Sequence, residues 1–204
     1  MTDSKRFLGI VGSYRKGGVI DTVVSEILDV AAANGADVNK IYLSDKTVDF
    51  CTNCRECVQI PGIERFPCVV HKDDDVNDIF EQIYKADTVV IGAPVNLGSA
   101  NALTQRFAER CIGSYYYPWG AHYPVLRDKK KHRSAILVSS SAAPGFMNSG
   151  AFGSGAMMTL RTIAELIGAD VSEEIKVGLV TTADFSVPDR SLRKARKAGE
   201  LLAA

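Results

Sequence analysis

The stretch Phe7-Leu8-Gly9-Ile10-Val11-Gly12-Ser13-Tyr14-Arg15-Lys16-Gly17-Gly18-Val19-Ile20-Asp21-Thr22 decides how the rest of the chain is read. A short apolar run ends in a turn rich in glycine and basic residues. An apolar stripe at helical spacing follows, formed by Ile20, Val23, Val24, Ile27, Leu28 and Ala31. Strand, glycine turn and helix in that order begin a parallel α/β unit. Asn34-Gly35 closes the helix over residues 19–33, because glycine tolerates the left-handed cap.

The pattern repeats outward from there. The sequence predicts strands over 36–43, 88–91, 134–139 and 171–180, and helices over 73–85, 101–111, 155–167 and 188–202. The acidic run Asp73-Asp74-Asp75 suits the start of the second helix, where it meets the positive end of the helix dipole. Pro188 suits a first turn, and Gly168 closes the helix before it. Strict alternation of strand and helix builds a parallel sheet covered on both faces. The expected fold is α/β, a three-layer sandwich with a five-stranded parallel sheet in order 2-1-3-4-5, formed by one domain over residues 1–204.

Ligands of such sheets bind beyond the carboxyl ends of the strands. After the first strand, glycines let backbone N–H groups curl inward, and the next helix presents its N-terminus to the same spot. Gly12, Ser13, Arg15, Lys16, Gly17, Gly18, Asp21 and Thr22 are therefore candidate anion-binding residues. The segment is neither Gly-x-x-x-x-Gly-Lys-Ser/Thr nor Gly-x-Gly-x-x-Gly. After the third strand, Gly92-Ala93-Pro94-Val95-Asn96-Leu97-Gly98 forms a rigid ledge able to bond the edge of a flat heterocycle. After the fourth come Ser139, Ser140 and Ser141, then Ala142-Ala143-Pro144-Gly145, a hydroxyl-rich edge.

Gly-Ser-x-Arg-Lys-Gly-Gly-x-x-Asp resembles the FMN phosphate loop of the NADPH-dependent FMN reductase family. That family belongs to the flavodoxin-like superfamily and includes the iron–sulfur flavoproteins. The ledge resembles the family's second flavin loop, and Phe107 and Arg110 fall in matching places on the helix that follows. The likeness runs from Phe7 to about Leu202. It implies FMN held by the phosphate loop, by Pro94, Val95, Asn96, Leu97 and Gly98, and by Ser140 and Ser141. It further implies NAD(P)H as electron donor, a flavin, quinone or similar small molecule as acceptor, and a homodimer or homotetramer. The chemistry is then carried by the flavin, with no catalytic side chain. Two departures stand out: Val19-Ile20 replaces the family's Asn-Thr, and Asn96-Leu97 replaces an aromatic pair.

Cys51, Cys54, Cys57 and Cys68 crowd the long segment over residues 44–72. Four thiolates are the usual complement of an iron–sulfur cluster, and zinc accepts the same number. The iron–sulfur flavoproteins carry a similar motif for a 4Fe–4S cluster, which implies a ferredoxin-type redox partner. Cluster-free relatives also keep cysteines there, so cluster, no metal, and zinc or a redox disulfide all stay open. Cys111, on a helix, reads as a core thiol.

The remaining features bound the function. Lys plus Arg equals Asp plus Glu at 24 each, which speaks against nucleic-acid binding and against a dedicated carrier steered by one charged face. No segment approaches the ~20 apolar residues of a membrane helix, and the N-terminus lacks a signal-peptide core, so a cytoplasmic protein is expected. Tyr115, Tyr116, Tyr117, Trp119 and Tyr123 mark an aromatic loop read as an oligomer contact, or as a lid over a flat acceptor. The stretch 129–133 reads as a solvated turn. His71, His122 and His132 lack ligand spacing.

Overall fold

The structure is a computed structural model that describes residues 4–144 and 154–203. Gly145, the end of the expected third loop, lies outside them. The elements are β1 (Arg6–Val11), α1 (Val19–Ala33), β2 (Asp37–Tyr42), α2 (Val76–Lys85), β3 (Thr88–Asn96), β4 (Ser99–Ala100), α3 (Ala102–Arg110), β5 (Tyr115–Tyr116), β6 (Val125–Leu126), β7 (Arg133–Ser140), α4 (Ser154–Leu166), β8 (Ala169–Val177) and α5 (Asp189–Ala203). The main sheet runs β2-β1-β3-β7-β8, all parallel. In order of the five long strands this is the expected 2-1-3-4-5.

Alternation along each strand sorts the core into two layers. Leu8, Ile10, Val89, Ile91, Ala135 and Leu137 face α2, α3 and α4. Phe7, Val11, Val90, Ile136 and Val138 face α1 and α5. Gly9 and Gly92 fall on this second face. A Cβ on Gly92 would stand 2.6 Å from Ile20 Cγ2, and one on Gly9 would stand 2.7 Å from Leu28 Cδ1. Their lack of side chains lets α1 lie close on the sheet and fixes where its N-terminus stands.

Three boundaries depart from the sequence expectation. Helix α2 begins at Val76, not residue 73, because the acidic run turns back into the preceding loop. Asp75 accepts from Thr47 N at 2.7 Å, and Asp74 accepts from Asp49 N at 3.1 Å. Strand β3 extends to Asn96 and folds into a hairpin with β4, so Pro94, Val95 and Asn96 belong to a strand instead of a free loop. Strand β8 starts earlier and ends at Val177, where Leu179 takes left-handed backbone (φ 63°) to return its N–H to Ala143 O.

Candidate functional site

The phosphate loop is fixed from below by backbone. Gly12 N donates to Gly92 O at 2.7 Å. Gly12 O accepts from Asn101 Nδ2 at 2.7 Å and from Thr104 Oγ1 at 3.2 Å. Asn101 is also the N-cap of α3, accepting from Thr104 N. The start of α3 thus fastens the end of β1. Neither Asn101 nor Thr104 stood out in the sequence, and their burial is the only signal that marks them.

Above this anchor the loop is open. Ser13 is buried and its hydroxyl oxygen accepts from Arg15 N at 3.2 Å. Gly17 takes positive φ (72°). Gly18 is the N-cap of α1 and offers no side-chain cap. The first amides of a helix have no partner inside it, and no side chain caps them here. Arg15 is exposed and forms no ion pair among the described residues. Lys16 is instead drawn to Asp45 at 2.6 Å.

Two residues at the helix start do other work. Ile20 is buried in the core, which gives a physical reason for its departure from the family's polar residue. Asp21 is buried beneath the loop. Its carboxylate accepts from Gly17 N at 2.6 Å, from Lys40 Nζ at 3.0 Å and from Tyr42 OH at 3.0 Å. Burial pushes the Asp21 carboxyl up, but these three donors together hold it below its usual value. With its oxygens committed inward, Asp21 braces the loop and does not meet an anion.

The ledge is a tight hairpin turn. Leu97 and Gly98 both take positive φ (49° and 76°), the backbone of a primed two-residue turn. Leu97 is fully exposed at 106%. An apolar side chain projected into solvent at a strand's carboxyl end is what a flat ring would cover. In the third loop, Ser139 and Ser140 lie inside β7 and Ser141 follows it. Ser141 N donates to Val177 O and its hydroxyl donates to Ala143 O at 3.0 Å. Its donors are spent internally, unlike the free donors expected. Ser139 Oγ is buried without a partner among the described residues.

The four clustered cysteines line one cavity, together with Arg55, Arg65 and Arg110. Asn53 and Arg55 take left-handed backbone on either side of Cys54 (φ 53° and 64°), which curls the segment around the cavity. Burial pushes the Cys57 thiol up, and the neighbouring Cys68, Cys51 and Cys54 add to it, so the four share one electrostatic space. The loop is tied down at both ends. Arg110 forms a bidentate ion pair with Asp74, their side chains 2% and 1% exposed, and it donates to Asp49 O. The Arg55 guanidinium lies between the rings of Tyr117 and Trp119, 4.1 and 4.0 Å from their centroids. These aromatics, read from sequence as a contact surface, clasp the cysteine loop. All five cysteines are free, and Cys111 is a core thiol pushed up to about 12 by burial.

Four thiols around one cavity are a donor set that an iron–sulfur cluster or a zinc ion would use. Among the described residues no group of three or more His, Cys, Asp or Glu side chains is already arranged to hold a metal ion. An iron–sulfur cluster spreads its thiolates over separate irons, and the arginine walls offset their charge.

The family model described as NADPH-dependent FMN reductase matches residues 6–146. The chain is 27% identical over 146 residues to an "Iron-sulfur flavoprotein" of Archaeoglobus fulgidus, covering 69% of this chain and 60% of that protein. It is 29% identical over 107 residues to an "Iron-sulfur flavoprotein" of Methanosarcina thermophila, covering 52% of each. The chain therefore spans about half to three-fifths of the length of these relatives. Among solved structures, an NAD(P)H:quinone oxidoreductase from Methanothermobacter marburgensis matches with TM-score 0.69 at 16% identity, covering 98% of this chain and 100% of that one. An FMN-dependent NADH-azoreductase from Bacillus anthracis matches with TM-score 0.64 at 15% identity, covering 98% of each. At these identities the structural matches establish the fold.

Proposed function

Because the chain belongs to the NADPH-dependent FMN reductase family, we propose that it holds FMN across the carboxyl ends of β1, β3 and β7 for NAD(P)H-linked reduction of a small acceptor. The acceptor class is a quinone, a free flavin or a similar flat molecule. The observation that carries this reading is the uncapped start of α1 beneath Arg15, the loop cation with no acidic partner among the described residues.

The amides of that first turn, with Ser13, Gly18 and Arg15, would hold the phosphate, while Gly17, its N–H given to Asp21, shapes the turn. Thr22 stands one turn further along α1, and Lys16 adds positive charge from the rim. Val95, Asn96 and Gly98 would bond or border the ring edge, with Pro94 stiffening the strand and Leu97 covering one face. Ser140 marks the ribityl side, and Ser141 shapes the turn beside it. Held by these residues, FMN would supply the hydride and electron chemistry. The protein binds, orients and excludes water.

A second reading rests on the cysteine cavity: Cys51, Cys54, Cys57 and Cys68 would ligate a 4Fe–4S cluster, with a ferredoxin-type donor as partner. Homodimers or homotetramers are expected of either form. No helix among the described residues is long and apolar enough to cross a membrane, in keeping with work in the cytoplasm.

Anaerobic stopped-flow mixing with NADPH or NADH tests the main reading. Protein loaded with FMN should bleach its flavin absorbance and recover it when menadione is added. NAD(P)H oxidation no faster than with free FMN would overturn it. Iron and acid-labile sulfide in anaerobically purified protein decide the second: about four irons per chain support a cluster, and none rejects it.

A further inference from the structure

A second cavity, about 360 Å³ in volume, lies at the amino edge of the sheet, away from the flavin loops. It opens between the start of β7, the end of α2 and the turn Cys111–Ser114. That volume falls in the range of small-molecule sites. The residues around it are not those of the flavin site, and Arg65 is the one it shares with the cysteine cavity.

Its chemistry is cationic. Arg65, Arg127 and Arg133 all line it. None of the three forms an ion pair among the described residues. Two acids also line the cavity. Asp128 is bonded to His132 at 2.6 Å, and Glu64 is exposed. Positive charge is thus left over at a partly desolvated wall, where it attracts an anion more strongly than in water. Burial pushes all three guanidiniums below their usual value, and at Arg133 the nearby Asp128 and Asp87 offset only part of this.

The guanidiniums are held in place before any ligand arrives. Arg65 lies over the Phe80 ring at 3.8 Å and donates one Nη to Asn77 Oδ1. Arg133 faces the Tyr84 ring at 5.5 Å and donates one Nη to Ile167 O. The second Nη of each has no acceptor among the described residues. Their Nε atoms, and the hydroxyl of Ser114 on the same wall, are buried without partners among the described residues. Arg127 spends its donors on the carbonyls of Gly113, Gly62 and Cys57, so it adds charge and fixes the wall. Leu126, Leu166 and Ile167 supply an apolar side.

We propose that this cavity binds a small organic oxyanion, a carboxylate or phosphate ester on a flat apolar body. Arg65 and Arg133 meet the charge, and Leu126, Leu166 and Ile167 take the body. Guanidiniums suit either oxyanion because their paired N–H groups match two oxygens at once. Arg65 also lines the cysteine cavity, so an occupant here stands one side chain away from that loop.

Isothermal titration calorimetry tests the site, using protein saturated with FMN and desalted so that the phosphate loop is already filled. The probes are phenyl phosphate, benzoate and neutral benzyl alcohol. Both anions should bind saturably and benzyl alcohol should not. Arg133→Gln should weaken anion binding at least tenfold while FMN retention is unchanged, which separates this site from the flavin site. Absence of saturable anion binding up to about 1 mM, equal binding of benzyl alcohol, or unchanged affinity in the Arg133→Gln protein would each overturn the proposal. Nitrogen-15 spectra of the arginine Nε–H groups in the unsubstituted protein give a readout independent of the variant's folding. The Arg65 and Arg133 signals should shift on saturation with phenyl phosphate, and unmoved signals would reject the site.

Discussion

Gly12 shows how much one residue position can carry. Its N–H and carbonyl tie β1 to β3 and α3, and a Cβ there would stand 2.2 Å from Thr104 Oγ1. Sequence reading marks this glycine as part of a loop. It does not show Thr104 pressed against it, because that contact joins segments 92 residues apart. Asp21 teaches a similar lesson. Its place in the motif suggests a ligand contact, but Lys40 and Tyr42, two residues apart on one face of β2, turn it into a brace. The pH dependence follows from that geometry. Gly17 N–H, Lys40 and Tyr42 outweigh burial and depress the folded carboxyl. A depressed acid contributes stability above its unfolded value of about 4, and the contribution is lost as pH falls through the folded value. Asp21→Asn removes the ionisation. The stability gap between native protein and this variant should therefore be full at neutral pH and shrink below about pH 4, as urea unfolding at a series of pH values would show. A gap that stays constant with pH would remove the brace.

Helix α1 is the element on which the proposed flavin site turns, since its first turn packs Ile20 into the core and leaves its amides uncapped. Alternation and the apolar stripe make the helix and its strand legible in sequence. The closeness of their packing is less so, because it depends on Gly9 and Gly92 falling on one face. The two glycines separate stability from binding. Gly92 sits under Ile20 at the loop end of the helix, and Gly9 sits under Val24 and Leu28 further along. Both Gly92→Ala and Gly9→Ala should cost about 1–3 kcal/mol through overpacking. Only Gly92→Ala should also weaken FMN binding substantially, because it would displace the turn proposed to grip the phosphate. Thermal unfolding and flavin titration on the two variants check this, and equal losses of affinity would contradict it. The start of α2 was misread from sequence for a related reason. Three aspartates look like a helix start in isolation, yet two of them are claimed by Thr47, Asp49 and Arg110 from distant segments.

Across the whole molecule, the two sheet edges divide the work. The carboxyl edge gathers the three loops that sequence places after β1, β3 and β7, so the fold and the position of those loops were largely legible. The cysteine loop was legible as a motif but not as a place. Its seating depends on the Arg110–Asp74 pair and on the clasp around Arg55, both long-range. Breaking the buried pair with Arg110→Met leaves Asp74 charged and unpaired, at a cost of about 3–5 kcal/mol. The clustered cysteines should then react faster with a bulky thiol reagent than in the native protein. The cationic cavity at the amino edge had no sequence signal, since Arg65, Arg127 and Arg133 come from three separate segments. Everything proposed for the carboxyl edge depends on the phosphate being held at the start of α1. The most direct measurement is a parallel titration of FMN and riboflavin, which differ only in that phosphate, followed by quenching of flavin fluorescence. FMN should bind at least a hundredfold more tightly. Equal affinities for the two, or no quenching of either, would contradict the account.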